Sequence, residues 1–330
     1  MTRPSEDALI ARFFAPLATS AGADGLTDDA AVIPPGEGDL VVTKDMAIAG
    51  VHFFPDDPPG LVAAKALRVN LSDLAAKGAV PAGMLLGLGL AADWSVDWLD
   101  AFAKGLAADL DAYGCPLLGG DTVKVPGPLT LSVTAFGRAN RTVRRRGARP
   151  GDLLCVTGTI GDGALGLVAR QAERDPATAP GWLAALGEDH RRHLVDRYLK
   201  PQPRVALARA VARHASAAMD VSDGLVGDLA KMMAASGTGA MVDAGTVPLS
   251  LAAAAAIATD PALRIRALTG GDDYEILLAC PPARLSSLQA DAGAVAVPLA
   301  VIGEVTGSGS VTWSLDGQPL TFGSERFEHF

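Results

Sequence analysis

The stretch RTVRRRGARPGDLLCVT (141–157) decides how the chain is organised. Arginines at 141, 144, 145, 146 and 149 make its first part strongly basic. Pro150-Gly151-Asp152 is turn chemistry, and Leu153–Thr157 then opens a fresh apolar, β-rich run. A chain of 330 residues has room for about two domains. The boundary is therefore expected here, giving domains at 1–148 and 149–330.

Outward from this break, both halves alternate strand-like and helix-like segments, so the class is mixed α and β. In the first half, strands are expected at Leu40–Thr43, Met84–Leu90, Pro116–Leu118 and Leu129–Gly137, with helices near 60–77 and 95–112. Gly114 is placed to end the second helix. In the second half, helices are expected near 163–174, 190–199, 203–214 and 224–236. Strands are expected at Met241–Asp243, Tyr274–Cys280, Leu299–Ile302 and Val311–Leu315. Residues 175–189 form an unassigned connection. Ser72-Asp73 and Gly119-Gly120-Asp121 are echoed by Ser222-Asp223 and Gly270-Gly271-Asp272 in the same order and at nearly the same spacing, which makes a duplicated architecture an open possibility.

Apolar residues make up 49% and charged residues 20%, an ordinary globular composition. A net charge of -9 argues against nucleic acid or an anionic membrane as partner. It does not argue against nucleotides, because carboxylates recruit magnesium and magnesium holds phosphates. Cys115, Cys155 and Cys280 are scattered through apolar stretches, the pattern of buried thiols in a reducing compartment. The N-terminus does not read as a signal peptide, and no apolar run is long enough to span a bilayer, so a cytoplasmic location is expected.

The chemistry is carried by aspartates that recur beside glycines or at the ends of apolar runs: Asp28, Asp29, Asp45, Asp73, Asp121, Asp220, Asp223, Asp272 and Asp273. Singly, each suits a turn or a helix cap, and Ser222 and Asp223 sit where a cap for the 224–236 helix belongs. As a set, scattered Asp without clustered His or Cys fits magnesium better than zinc or iron. Asp73 lies inside an apolar helix, with Asn70 and Lys77 on its face, and a carboxylate there needs a partner or a metal. Gly161-Asp-Gly-Ala-Leu-Gly166 matches a dinucleotide fingerprint but lacks the second strand ending in an acid, so it reads as a tight strand-to-helix turn. No GxxxxGK[ST] or GxSxG string exists. His190 and His193 read as surface residues of a polar helix, while His52 reads either as a core histidine or as a site residue.

Taken together and in order, these strings resemble the thiamine-monophosphate kinase family, within the aminoimidazole-ribonucleotide-synthetase-like ATP enzymes. They are Asp28-Asp29-Ala30, Thr43-Lys44-Asp45, Gly50-Val51-His52-Phe53, Asn70 to Ala75, Gly119 to Thr122, Arg145 with Gly147 to Asp152, Asp220 to Leu225, and Gly270 to Glu275. The resemblance implies a two-domain PurM-like architecture whose N-terminal domains pair into a dimer barrel. It implies phosphorylation of thiamine monophosphate by ATP, with direct in-line transfer. Several magnesium ions would be held by Asp29, Thr43, Asp45, Asp73, Asp121, Asp220 and Asp223, with Lys44 standing where the family often has a threonine. Gly120, Asp121, Arg145 and Ser222 fall on nucleotide-contacting positions, Arg145 as charge stabiliser. His52, Asp272 and Phe327 fall on substrate-contacting positions. No general base is expected, because the acceptor phosphate is already anionic. Two other readings stay open: another ATP enzyme of the superfamily, and a nucleotide- or thiamine-phosphate-binding regulator without catalysis. The first cysteine, Cys115, lies too far along the chain for the reactive N-terminal residue of a selenophosphate synthetase.

Overall fold

The structure is a computed structural model and describes residues 5–28, 30–307 and 309–323. The chain gathers into two units. One runs up to Leu74 and resumes at Ala79–Asn140; the other takes Ala75–Gly78 and the chain from Arg141 onward.

The first unit contains α1 (Glu6–Leu9), β1 (Asp39–Ile48), α2 (Pro59–Ala76, its last two residues counted with the second unit), β2 (Val80–Leu90), α3 (Val96–Tyr113), β3 (Leu117–Lys124) and β4 (Thr130–Ala139). Its sheet has the order β1-β4-β2-β3, antiparallel except for the β2–β3 pair. The sheet is open, with β1 and β3 as its edges. Alternation along β4 buries Leu131, Val133 and Ala135 and leaves Ser132, Thr134 and Phe136 half-buried on the other face. Directly paired residues share a face. Thr43 pairs with Ala135 and Asp45 with Val133, so both lie on the covered face; Lys44 pairs with Thr134 and Met46 with Ser132, on the other.

Helix α3 ends as expected, with Gly114 closing it at φ 59°; at its start the Ser95 side chain accepts the Trp98 N–H. Helices α2 and α3 approach so closely that a Cβ on Gly105 would stand 2.3 Å from the Gly60 Cα. Nearby, Arg68 and Asp109 form a buried two-point ion pair, Nε to Oδ2 at 2.6 Å and Nη2 to Oδ1 at 2.8 Å. The guanidinium also lies over the Tyr113 ring.

The second unit contains β5 (Leu153–Thr157), α4 (Asp162–Arg174), α5 (Gly181–Ala185), α6 (Glu188–Leu199), α7 (Ala208–His214), β6 (Ala217–Asp220), α8 (Leu225–Ser236), β7 (Gly239–Asp243), α9 (Leu251–Thr259), α10 (Leu263–Thr269), β8 (Ile276–Cys280), α11 (Pro282–Ala294), β9 (Leu299–Thr306), β10 (Val311–Leu315) and β11 (Gln318–Leu320). Its sheet has the order β11-β10-β7-β9-β5-β8-β6, antiparallel except for β10–β7. Both faces of β5, β6 and β8 are buried. Leu154, Val156, Met219 and Leu277 join one core cluster, while Cys155, Ala218, Ile276 and Leu278 join the other. All three cysteines are free and buried, and burial pushes the thiols of Cys115 and Cys155 up to about 12.

Three expectations change. The strand read at Leu40–Thr43 runs on for ten residues through Lys44 and Asp45, because its pairing with β4 is made by main-chain groups and an edge strand tolerates polar side chains. The two Ser-Asp and Gly-Gly-Asp echoes are not structural copies. Ser72-Asp73 lies within α2 and Ser222-Asp223 in a strand-to-helix loop, while Gly119 to Asp121 lies in β3 and Gly270 to Asp272 in a loop. The expected cap at Ser222 or Asp223 is absent too; α8 begins after Gly224, with no side-chain cap.

Asp109→Ala removes the two-point carboxylate partner of a buried guanidinium and is expected to cost about 3–5 kcal/mol in urea unfolding, whereas the paired change Arg68→Met with Asp109→Leu costs far less. A loss below about 1 kcal/mol for the single variant would contradict a buried, coupled pair.

Candidate functional site

On the first unit, the two-residue period of β1 aims Thr43 and Asp45 at the face that carries Asp73. The Thr43 hydroxyl donates to Asp73 Oδ2 at 2.6 Å. Burial first, and then the charge of Asp73, push Asp45 up from 3.8 to about 6, with Lys44 partly opposing. Asp45 keeps an exposed surface, so solvent still reaches this pair. A carboxylate whose ionisation is opposed by a neighbouring carboxylate attracts a cation. Among the described residues no three or more His, Cys, Asp or Glu side chains converge into a metal cage. The donor set therefore suits a hard divalent ion that shares one or two carboxylates with water and phosphate oxygens, which is how magnesium is commonly held.

Within the first unit, Lys44 and Asp121 stand apart from Thr43, Asp45 and Asp73. The Lys44 side chain points to the opposite face and donates to Ser132 Oγ at 2.8 Å. Asp121 lies on β3, the far edge from β1 and three strand spacings, about 14 Å, away. Its neighbourhood is a cavity of about 790 Å³. Leu85, Gly87, Ser132, Thr134 and Phe136 of the sheet line one side; Ile10, Phe14, Leu26 and Ile33 of the N-terminal segment line the other. Asp28, Gly119, Gly120 and Asp121 supply its polar rim. At Gly120, φ is 159° and a Cβ would stand 1.9 Å from the Leu86 carbonyl oxygen, so close strand packing requires glycine. His52 closes a tight turn: its Nδ1 accepts the Ile48 N–H at 3.1 Å, which leaves the proton of the neutral ring on Nε2.

On the second unit, β6 ends at the buried Asp220, and residues 221–224 lead into α8. Asp228, one turn inside α8 and fully buried, reaches back to this loop. Its Oδ2 accepts the N–H of Ser222 at 3.0 Å and of Asp223 at 2.9 Å. Lys231 joins Asp228 Oδ1 at 2.9 Å and also the Asp223 carboxylate. Burial outweighs Lys231 and holds the Asp228 carboxyl above its ordinary range.

The loop 270–275 lies against the first loop, backbone to backbone. Asp272 donates its N–H to Ser222, Tyr274 donates to Val221, and Val221 donates to Glu275. A Cβ on Gly271 would stand 2.1 Å from the Ser222 carbonyl oxygen, so only glycine allows this approach. Asp272 and Tyr274 both adopt left-handed backbone, φ 70° and 52°, at a cost of about 1–2 kcal/mol each. The Tyr274 hydroxyl donates to Asp272 Oδ1 at 3.1 Å. Between and beyond these half-buried residues, Asp273 and Glu275 point inward, 1% and 0% exposed. The Asp273 carboxylate accepts the N–H of Gly161 at 2.8 Å and of Gly163 at 3.0 Å, at the start of α4. The glycine turn that mimics a dinucleotide fingerprint thus binds a protein carboxylate at its helix N-terminus. Glu275 is held by Arg204, by Arg197 at 3.0 Å and by the Thr157 hydroxyl at 2.7 Å. Next to them the buried Asp162 is held below its ordinary range. Burial works to raise it, but hydrogen bonds from His193, Ser250 and Thr159 outweigh that effect.

Arg145 is exposed, as are Arg144 and Arg146. The Arg144 carbonyl accepts the Ala218 N–H, so the segment runs beside β6. Asp29 and Phe327 lie outside the described residues. The sequence pattern marked Asp273 as one of the recurring aspartates but gave no role to Asp228, Lys231 or Glu275. A signal existed for Glu275, which directly precedes the wholly buried strand Ile276–Cys280 and so demanded partners. Its partners Arg197 and Arg204, 78 and 71 residues away, carried no such mark.

Two family models match the chain: AIR synthase related protein, N-terminal domain, over residues 27–139, and the C-terminal domain over residues 149–315. A thiamine-monophosphate kinase of Caulobacter vibrioides is 42% identical over 325 residues, spanning 96% of this chain and 89% of the relative. The crystal structure of thiamine-monophosphate kinase from Stenotrophomonas maltophilia superposes with a TM-score of 0.82 at 38% identity, over 96% of this chain and 98% of that one. The structure of AaThiL complexed with AMPPCP and TMP superposes with a TM-score of 0.77 at 29% identity, over 100% and 99%. Likeness of this extent, along both units, means that the chain belongs to the thiamine-monophosphate kinase family of AIR synthase related proteins.

Proposed function

We propose that the chain phosphorylates thiamine monophosphate to thiamine diphosphate with ATP, by direct in-line transfer. The observation that carries this reading is the full-length likeness to thiamine-monophosphate kinases, one of them in a complex with AMPPCP and TMP. The carboxylate pair Asp45–Asp73 fits it chemically. In the reaction a terminal phosphate oxygen of the acceptor forms a bond to the γ-phosphorus, the bond from that phosphorus to the β–γ bridging oxygen breaks, and ADP leaves. The acceptor oxygen is already anionic, so no side chain has to remove a proton, and the task is to bring two anions together. Bound magnesium neutralises the charge of the transferring and leaving phosphates.

On the first unit, Asp45 and Asp73 hold the cation, with Thr43 orienting Asp73; any part played by Lys44 is through its main chain. Gly120 and Asp121 offer the cavity beside them to the nucleotide, and His52 faces the acceptor. Asp29 is assigned to the metal and Phe327 to the acceptor on the family pattern alone. On the second unit, Asp220 and Asp223 are further metal ligands and Ser222 a nucleotide contact, while Asp272 contacts the acceptor and Arg145 offsets phosphate charge. Functional domains at 1–148 and 149–330 and a cytoplasmic location complete the reading.

The open sheet supports a homodimer. Leu40, Val42 and Met46 of β1 and Val123 of β3 are exposed apolar side chains on edge strands, and a second copy laid on the sheet would cover them and close a barrel. Val42→Glu is expected to shift sedimentation equilibrium from dimer to monomer; a wild-type chain that sediments as a monomer would rule the barrel out.

Product analysis tests the function. Thiamine diphosphate and ADP are expected from ATP, magnesium and thiamine monophosphate, not from free thiamine, and EDTA should abolish them. A folded, ATP-binding protein that makes no thiamine diphosphate would remove the assignment. Asp45→Asn should lower kcat by about 100-fold or more, with thiamine monophosphate affinity nearly unchanged. Because Asp45 takes up its proton near pH 6, magnesium affinity measured by calorimetry should fall as pH drops from 7 to 5, and Asp45→Asn should flatten that dependence.

A further inference from the structure

We propose that Asp273, which the reading above leaves without a role, is the positioning residue that sets the acceptor-facing loop 270–275. The inference rests on the reading that Asp272 contacts the acceptor.

Three observations lead to it. Asp273 sits between the two left-handed residues of the loop, Asp272 and Tyr274, and a turn of that kind persists only where its surroundings fix it. What fixes it is directional: two amides at the start of α4 bind the Asp273 carboxylate, and Arg197 Nη2 donates to its carbonyl oxygen at 3.3 Å. An apolar side chain there would leave both amides without an acceptor, so the carboxyl is what ties the loop to the start of α4.

The same contact reaches the neighbouring loop. Asp272 donates its N–H to Ser222, and Tyr274 donates to Val221. A displaced 270–275 loop therefore displaces the segment that carries Ser222. From the other side, Gly163 leaves no slack: a Cβ there would stand 2.4 Å from the Asp272 carbonyl carbon. Glu275, two residues on, is clamped by Arg197, Arg204 and Thr157, which pins one end of the loop and leaves Asp273 to set the other.

The test uses the full chain. Asp273→Asn keeps the shape but turns an N–H2 toward one of the two amide donors. Gly163→Ala pushes the loop while keeping Asp273. Leu288→Ala, in the core around α11, serves as a control of reduced stability. Two readouts are taken: the Michaelis constants for both substrates, and hydrogen exchange at the amides of 221–224 and 271–275. Expected for both loop variants are a rise on the order of tenfold in KM for thiamine monophosphate, a smaller rise in KM for ATP through Ser222, and faster exchange confined to the loop and the adjoining 221–224 segment. Leu288→Ala, compared at equal melting temperature, should show neither change. Unaltered exchange and KM in a folded Asp273→Asn protein overturns the proposal, and so does Leu288→Ala reproducing the pattern. If the wild-type chain does not phosphorylate thiamine monophosphate, the functional reading fails on its own, and the exchange data alone decide whether Asp273 sets the loop. Should Asp273→Asn not fold, Gly163→Ala carries both readouts.

Discussion

Alternation along a single edge strand governs the first unit. Because side chains of β1 change face at every residue, Thr43 and Asp45 turn toward Asp73 while Lys44 and Met46 turn away. One face of the strand thereby brings Asp45 and the Thr43 hydroxyl to Asp73 of α2, and the other gains the apolar surface that an open sheet leaves uncovered. A one-residue slip against β4 would exchange the two faces and put Lys44 beside Asp73. The ten-residue register with β4 is what prevents it.

The second unit solves a different problem. Two loops carrying polar side chains are fixed by carboxylates that point inward. Asp228 gathers the amides of Ser222 and Asp223; Asp273 gathers those of Gly161 and Gly163. In each case a buried acid is satisfied by backbone N–H groups, which makes its burial tolerable. The outward neighbours, Asp223 and Asp272, inherit their orientation from these anchors. The site's chemistry on this unit thus depends on residues that do not face solvent.

Much of this was legible in the sequence, for physical reasons that differ by element. The end of helix α3 was readable because Gly114 is a cap with a mechanism. The change of unit after Asn140 falls a few residues before the turn chemistry at Pro150–Asp152 from which a boundary was expected. Helix α9 (LAAAAAIAT) was not readable, because an unbroken apolar run shows no period by which to tell helix from strand. β6, four residues long, gave too short a signal, and the glycines of β3 hid that the strand expected at Pro116–Leu118 runs on to Lys124. Among site residues, the aspartates were visible as types, but their grouping was not. Asp45 and Asp73 come together because of strand register, and Asp121 stands apart because β3 is the opposite edge. Asp228 went unmarked, and Asp273 was visible as a type but not as an inward anchor, because a buried acid and a turn aspartate look alike in one dimension.

The central claim is that phosphate passes directly from nucleotide to acceptor on this chain. Rapid-quench single turnover with ATP labelled in its γ-phosphate, enzyme in excess and thiamine monophosphate present, tests it most directly. The account predicts that label leaves ATP and enters thiamine diphosphate at one rate, with none bound to protein at any time. Label trapped on the protein, or released only as inorganic phosphate, would contradict it.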